Sequence, residues 1–301
     1  MSVLKEPLAT PSRFKGIFRY LLAKEHQKEK RNVLEQILSP NKLVERLLST
    51  EEKASDKKAK HPMFHNNIRE CIKSSLLVEI EDDIGINLML SEAARNPQLG
   101  EYLLPDTLAT LFFASGNQDE EDFGLLCAWF LAQDIYDFSG SWETVEKLVS
   151  EQKVGELLKI SSGTLYSQMN DWMCYMGLAW SHALEGKKVI VPDPTAYIKR
   201  NLQHFFSNQE DKKLPIKEFI DRLAKKCPLF ETGKFRDEVE ANIGYRQPNY
   251  LSTSTAFALF RLQDEGYIQF IRDSDADLML LPKANNEVDD NSKISHIILR
   301  G

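Results

Sequence analysis

Residues 251–266, LSTSTAFALFRLQDEG, constrain this chain more than any other stretch, because they fix a helix and both of its ends. Serine and threonine hydroxyls at a helix start satisfy backbone N–H groups, the run through Phe257, Leu259, Phe260 and Leu262 has helical spacing, and Gly266 supplies the stop. Residues 267–272 (YIQFIR) and 294–299 (ISHIIL) then alternate as half-buried strands do, with 278–281 as a third strand and a polar tip at 283–293. Upstream, 214–225 opens on Leu214-Pro215, a proline suited to a first helical turn, with Phe219, Ile220 and Leu223 inward, and 233–243 gives another helix. Three helices and a hairpin predict a winged-helix domain over 207–301.

The same order recurs at the other end of the chain. Residues 11–24 place Phe14, Ile17, Phe18, Leu21 and Leu22 on one helical face, and 30–38 form a second helix closed by Ser39-Pro40. A short amphipathic piece at 41–48 and a charged loop at 49–60 precede a third helix at 63–74, through Phe64, Ile68, Cys71 and Ile72. Residues 76–81 and 84–90 flank Asp82-Asp83 as a hairpin, so 1–90 reads as a basic winged-helix-like domain with an inserted charged loop.

Between them, 91–206 reads as a helical scaffold domain, with segments near 106–114, 123–138, 141–148, 154–158 and 161–184. The stretch 165–184 is aromatic and methionine-rich on nearly all sides, the mark of a helix central to its bundle. A short strand at 189–194, an amphipathic helix at 195–206 and a polar linker at 207–213 follow. The fold class expected is mainly α, with two winged-helix (helix-turn-helix plus β-hairpin) modules flanking a helical middle domain.

A length of 301 residues exceeds what one core usually organises, and 42% apolar with 28% charged residues is the balance of a folded protein. Cys71, Cys127, Cys174 and Cys227 form no C-x-x-C pair, which fits buried thiols in a reducing compartment. No apolar run approaches the roughly 20 residues a bilayer requires and the amino terminus lacks a signal-peptide core, so a cytoplasmic protein with no membrane contact is expected.

No P-loop, dinucleotide-binding glycine fingerprint or nucleophile elbow is present, and the expectation is a chain without catalytic residues, metal or cofactor. His61 and His65 are four apart but lack the glutamate of a zinc-protease motif. Asp273, Asp275 and Asp277 resemble the start of a calcium loop, yet Leu278 stands where the turn glycine belongs and Ala284 where the closing carboxylate belongs. The run Asp119-Glu120-Glu121-Asp122 suits a helix amino terminus, where the macrodipole favours anions.

Net charge is -7, but residues 1–75 hold 16 Lys and Arg against nine Asp and Glu, leaving the remainder acidic. The basic quarter is the first candidate for phosphate contact: Arg13, Lys15 and Arg19 on the first helix, Lys57, Lys58 and Lys60 in the loop, and Asn66, Arg69 and Lys73 on the third helix. A second candidate surface comprises the hydroxyls Ser252, Thr253 and Ser254 (with Thr255) at a helix start, together with Arg261, Arg272, Lys293 and His296 (with Lys283). Acidic neighbours such as Asp264, Glu265 and Asp273 favour a protein-docking role for it.

A family resemblance rests on a set of short motifs. Leu214-Pro215-Ile216 with Phe219, Cys227-Pro228-Leu229, Phe235-Arg236, Leu251-Ser252, the helix 256–262, Asp264-Glu265-Gly266, Ser274-Asp275-Ala276-Asp277 and Ser295-His296-Ile297 together resemble the DpdG-like proteins. These accompany bacterial gene clusters that insert 7-deazaguanine derivatives into DNA and restrict unmodified DNA. The resemblance implies a helper subunit of an anti-phage restriction system, acting beside separate helicase and nuclease proteins, with no catalytic residues to carry over. The leading expectation is a non-catalytic adaptor that contacts double-stranded DNA through its basic amino-terminal module. Its carboxy-terminal module would dock a partner such as a helicase or ATPase, with a second copy of the chain, as a homo-oligomer, a further candidate partner. The alternatives are a pure protein-interaction winged-helix subunit of a large ATPase, and a dimeric winged-helix transcriptional regulator.

Overall fold

The computed structural model describes residues 2–5, 9–42, 61–114, 117, 120–184, 187–207, 212–284 and 292–300. The protein is mainly helical with small antiparallel sheets, and its contacts gather into two compact units, residues 2–112 and 113–301. This division differs from the expected boundaries near 90 and 206. Helix 100–112 packs against helix 11–22, and the carboxy-terminal helices share a unit with the helical middle.

In the first unit, α1 (Ser2–Lys5) and α2 (Pro11–Leu22) are followed by β1 (Lys28–Lys30), α3 (Arg31–Leu38), α4 (Pro62–Lys73), β2 (Leu77–Ile80), β3 (Asp83–Ile86), α5 (Glu92–Arg95) and α6 (Gly100–Phe112). Spacing of three and four residues puts Phe14, Ile17, Phe18, Leu21 and Leu22 on the buried side of α2, as expected. The hairpin β2–β3 forms in the register Leu77↔Ile86, and β1 adds to it antiparallel, giving the order β1-β3-β2. The sequence reading had no strand at 28–30. Three residues reading Lys-Glu-Lys carry no apolar alternation, and their place is set by pairing with β3. The amphipathic piece at 41–48, beyond its first two residues, and the charged loop up to residue 60 lie outside the described residues.

The second unit contains α7 (Glu121–Ala132), α8 (Trp142–Glu151), α9 (Gly155–Leu158), α10 (Gly163–Met176), β4 (Trp180–Leu184), β5 (Lys187–Val191) and α11 (Thr195–Phe205). Then come β6 (Lys213–Pro215), α12 (Ile216–Lys226), α13 (Lys234–Ile243), α14 (Thr253–Asp264), β7 (Ile268–Ile271), β8 (Met279–Leu280), β9 (Lys293–Ile294) and β10 (His296–Leu299). Every residue of α7 from Phe123 to Leu131 is buried, and α9, α10, α13 and α14 all pack on it. A helix apolar on every side belongs at the centre of its layer, so α7 takes the place expected of 165–184.

That expected helix is cut short. It ends at Met176, where Gly177 adopts φ +76, a left-handed turn that glycine enters without a Cβ penalty. Trp180–Leu184 instead pairs with Lys187–Val191 as a hairpin, with Trp180 and His182 stacked at 5.1 Å on one side of the strand. The helix expected over 123–138 likewise stops at Ala132, and the Asp134 carboxylate accepts from the backbone N–H of Tyr136 in a turn. Leu214-Pro215 belongs to β6, not to the first helical turn: Leu214 lies opposite Ile297, and the helix begins at Ile216. The carboxy-terminal sheet therefore runs β6-β10-β7, while the strand foreseen at 278–281 pairs with β9 in a separate two-stranded ladder. Among the described residues, no helix is long and apolar enough to cross a membrane.

Candidate nucleic-acid interface

Helix α14 has two faces. Ala256, Ala258, Leu259 and Leu262 turn into the core, whereas Phe257, Phe260, Arg261 and Asp264, at i, i+3, i+4 and i+7, form an outer stripe. That stripe is one wall of a groove of about 790 Å³. Phe270 and Arg272 sit two apart along the chain at β7 and so share a side, forming the facing wall. Lys283, Lys293 and Tyr136 also line it, with Gln263, Ala284 and Ile294 between them.

The groove is cationic and ring-lined. Arg261 lies 5.8 Å from the centre of the Phe257 ring and Lys283 Nζ 5.4 Å from that of Phe260, while Phe260 meets Phe270 edge to face at 5.7 Å. Asp264 is the single carboxylate among the described lining residues. Of the acidic neighbours, Asp277 pairs with Lys217 on α12 at 2.8 Å, whereas Glu265 meets Lys199 on α11 at 3.0 Å and also approaches Arg261 at 3.6 Å. Arg261 is itself positioned by Asp193, which accepts from it at 2.6 Å and also caps the start of α11.

The structure gathers Arg261, Arg272 and Lys293 from the second candidate surface and removes its hydroxyls. Ser252, Thr253, Ser254 and Thr255 are all buried. Ser252 Oγ and Thr255 Oγ1 donate to the Glu231 carboxylate at 2.6 and 2.5 Å, and Ser254 Oγ donates to the Leu131 carbonyl at 2.6 Å. Thr253 Oγ1 accepts from the backbone N–H of Ile135 at 3.1 Å. The helix start foreseen as a phosphate contact thus joins α14 to α7 and to Glu231. Burial alone would raise the Glu231 carboxyl, but Arg246, Arg236 and the two hydroxyls outweigh it and hold the group below the usual carboxylate range. His296 stands on β10 opposite Ile271 and Pro215, with Nδ1 2.9 Å from Ser295 Oγ, and does not line the groove.

The amino-terminal cations are spread over two helices and sit beside carboxylates. Lys15 and Arg19 on α2 both reach Glu101, at 3.1 and 3.4 Å. Arg69 and Lys73 on α4 lie 3.4 and 3.3 Å from Glu70, and Arg69 donates to Asn66. Arg13 donates to the Met63 sulfur at 3.2 Å and lines an apolar hollow between α2 and α4. Lys57, Lys58 and Lys60 lie outside the described residues. His61 is buried against Ser39 and Asn41, and both His61 and His65 approach Glu35 at 3.6 Å.

In sequence Phe257 and Phe260 stand only as apolar positions of one helix, because a helix with apolar residues on every turn does not announce a second face. The available signal was the combination of rings three apart with Arg261 beside them, facing a strand that repeats the pattern in Phe270 and Arg272. Fold and groove define a mainly helical protein that presents a cationic, ring-lined surface beside one helix. A family model described as DpdG-like matches residues 1–276, and the chain belongs to the DpdG-like family. The matched span takes in Phe257, Phe260, Arg261, Phe270 and Arg272 and ends before Lys283 and Lys293. No curated protein and no solved structure matches the chain.

Proposed function

We propose that this protein is a non-catalytic, DNA-associated subunit of a bacterial defence system that works with 7-deazaguanine DNA modification, and that its DNA contact is the groove beside α14. Family membership supplies the context. One observation carries the contact: Arg261, Arg272, Lys283 and Lys293 converge on a groove where Asp264 is the single carboxylate among the described lining residues. In each unit two strands of a three-stranded antiparallel sheet follow a set of three helices, the remaining strand coming earlier in the chain (β1 between α2 and α3, β6 before α12), and we read each as a winged helix. The non-catalytic reading is supported by the way Ser252, Thr255 and Glu231 bind one another and Arg246 rather than an open site.

A mobility-shift assay at low salt tests this. The protein should retain DNA, and Lys283→Glu combined with Lys293→Glu should abolish retention, whereas Lys15→Glu combined with Arg19→Glu should leave most of it. Absence of retention by the unaltered protein would defeat the reading. Docking of another subunit is a second role, favoured by Leu88 and Met89, which are 71% and 90% exposed after β3. A helicase or ATPase of the same system is the partner expected, and co-purification that survives nuclease treatment and fails in Leu88→Ser, Met89→Ser would support it.

A further inference from the structure

We propose that β4 is a docking edge for a second copy of this chain: two β4 strands pair antiparallel about a two-fold axis at Ser181, joining the β4–β5 hairpins of both copies into one continuous sheet. The inference is independent of the DNA-contact reading above.

A strand at the margin of a sheet presents unpaired backbone N–H and C=O groups, and proteins blunt such margins with charge, proline or a covering side chain. The margins of both three-stranded sheets follow that rule. β1 reads Lys-Glu-Lys, β2 carries Glu79 paired with Arg31, β6 holds Pro215, and the Phe270 N–H of β7 donates to the Gln263 side chain. β4 reads Trp-Ser-His-Ala-Leu, with no charged residue and no proline, and its register with β5 runs unbroken from Trp180↔Val191 to Leu184↔Lys187. Strand β5 is packed against the chain, so closely that a Cβ on Gly140 would overlap the Ile190 carbonyl oxygen. β4 is the outer strand of the hairpin, and Trp180, Ser181, His182 and Ala183 are all exposed. Among the described residues, no backbone hydrogen bond joins residues 180–183 to any element but β5.

This edge suits its own copy. Alternate residues of a strand share a face, so Trp180 and His182 stand together, stacked at 5.1 Å, beside half-buried Val189 and Val191 on β5. Antiparallel pairing about Ser181 sets Trp180 against His182 of the second copy, His182 against its Trp180, and the two Ser181 hydroxyls against each other. Rings then meet rings and a hydroxyl meets a hydroxyl, the cross-strand pairs that stabilise a sheet. Such an isologous contact uses one patch on both copies and closes as a dimer. The chain carries a net charge of -7, so two copies repel at most approaches, and an edge without charge is where they can meet. A single strand pair buries less than a standard interface, which makes the association weak and dependent on concentration.

Sedimentation velocity on the full, nuclease-treated chain between about 1 µM and 1 mM tests this. The unaltered protein should pass from monomer to dimer across that range. Ser181→Lys and Ser181→Glu each set like charges against each other at the axis, and each should weaken association by about tenfold. Ser181 is exposed, so both variants should melt with the unaltered protein. An equimolar mixture of the two, in which unlike charges face each other, should restore the dimer to the unaltered level. That rescue requires a contact in which position 181 meets itself. The concentration series on the unaltered protein depends on neither variant. A chain that stays monomeric throughout, a dimer that both variants form undiminished, or a mixture that associates no better than either variant alone would overturn the inference, and none of these outcomes bears on DNA retention.

Discussion

Glu231 is a buried carboxylate that remains ionised because Arg246 lies 2.7 Å from it and Ser252 and Thr255 donate to it. The sign of its contribution follows from its lowered value. A carboxyl depressed in the folded state adds stability above its ordinary pKa, and that stability is lost as pH falls through the folded value. Glu240 works in the opposite sense: burial raises it despite Arg246 and Arg236, so what it contributes is present at low pH and fades as pH rises. Glu231→Gln removes the charge facing two guanidinium groups, one of them, Arg236, fully buried. The loss should be about 3 kcal/mol near neutral pH, in the range for breaking a buried pair by removing one partner. Urea melts should show the gap between the two proteins narrowing as pH falls from the ordinary carboxylate range through the lower value that Glu231 has in the folded protein. A gap that stays constant across that range would mean that Glu231 is not held below its ordinary value.

At the level of elements, the unit 113–301 depends on how closely α13 approaches α7. A Cβ built on Gly124 would stand 2.6 Å from the Phe235 ring, so the glycine sets the separation of the two helices. Gly124→Ala should therefore destabilise the protein by about 1–3 kcal/mol although alanine is the better helix former, because the ring has to move within a filled core. A calorimetric melting temperature that rises in the variant would show that helix propensity outweighs packing here. The contrast with Gly177 explains what could be read from sequence. Long amphipathic helices such as α2 and α14 were legible because their periodicity extends over three turns. The strands β1 and β6 were not, since three residues have no period and the partners of their central residues, Glu29 and Leu214, lie 55 and 83 positions away, at Ile84 and Ile297. Gly177 was visible only as one glycine inside an apolar run, where tolerance and termination look alike. The cations of the groove stand out in the sequence, but its rings do not, because the faces of one apolar helix cannot be told apart before the neighbouring strand is in place.

Over the whole molecule, residues 76–301 carry 22 Lys and Arg against 36 Asp and Glu, so an anionic ligand approaching the groove meets an acidic protein. Screening decides how much that matters. At about 0.1 M salt the Debye length is roughly 10 Å, so distant carboxylates fade while groups touching the phosphates do not. Affinity should consequently be governed by the few cations at the contact rather than by net charge, and the salt dependence counts them. Each phosphate neutralised contributes a slope of about -0.9 on a duplex, or about -0.7 on a single strand, in log K against log salt. Lys283→Ala together with Lys293→Ala should make that slope shallower by about 1.4 to 1.8. Lys15→Ala together with Arg19→Ala should change it little, since Glu101 already balances both side chains at 3.1 and 3.4 Å. Anisotropy titrations between about 50 and 200 mM salt, the span over which such contacts change affinity steeply, give both slopes. If instead the Lys15 and Arg19 pair carried the larger share, the phosphates would lie along α2, and α14 would be left to a protein partner.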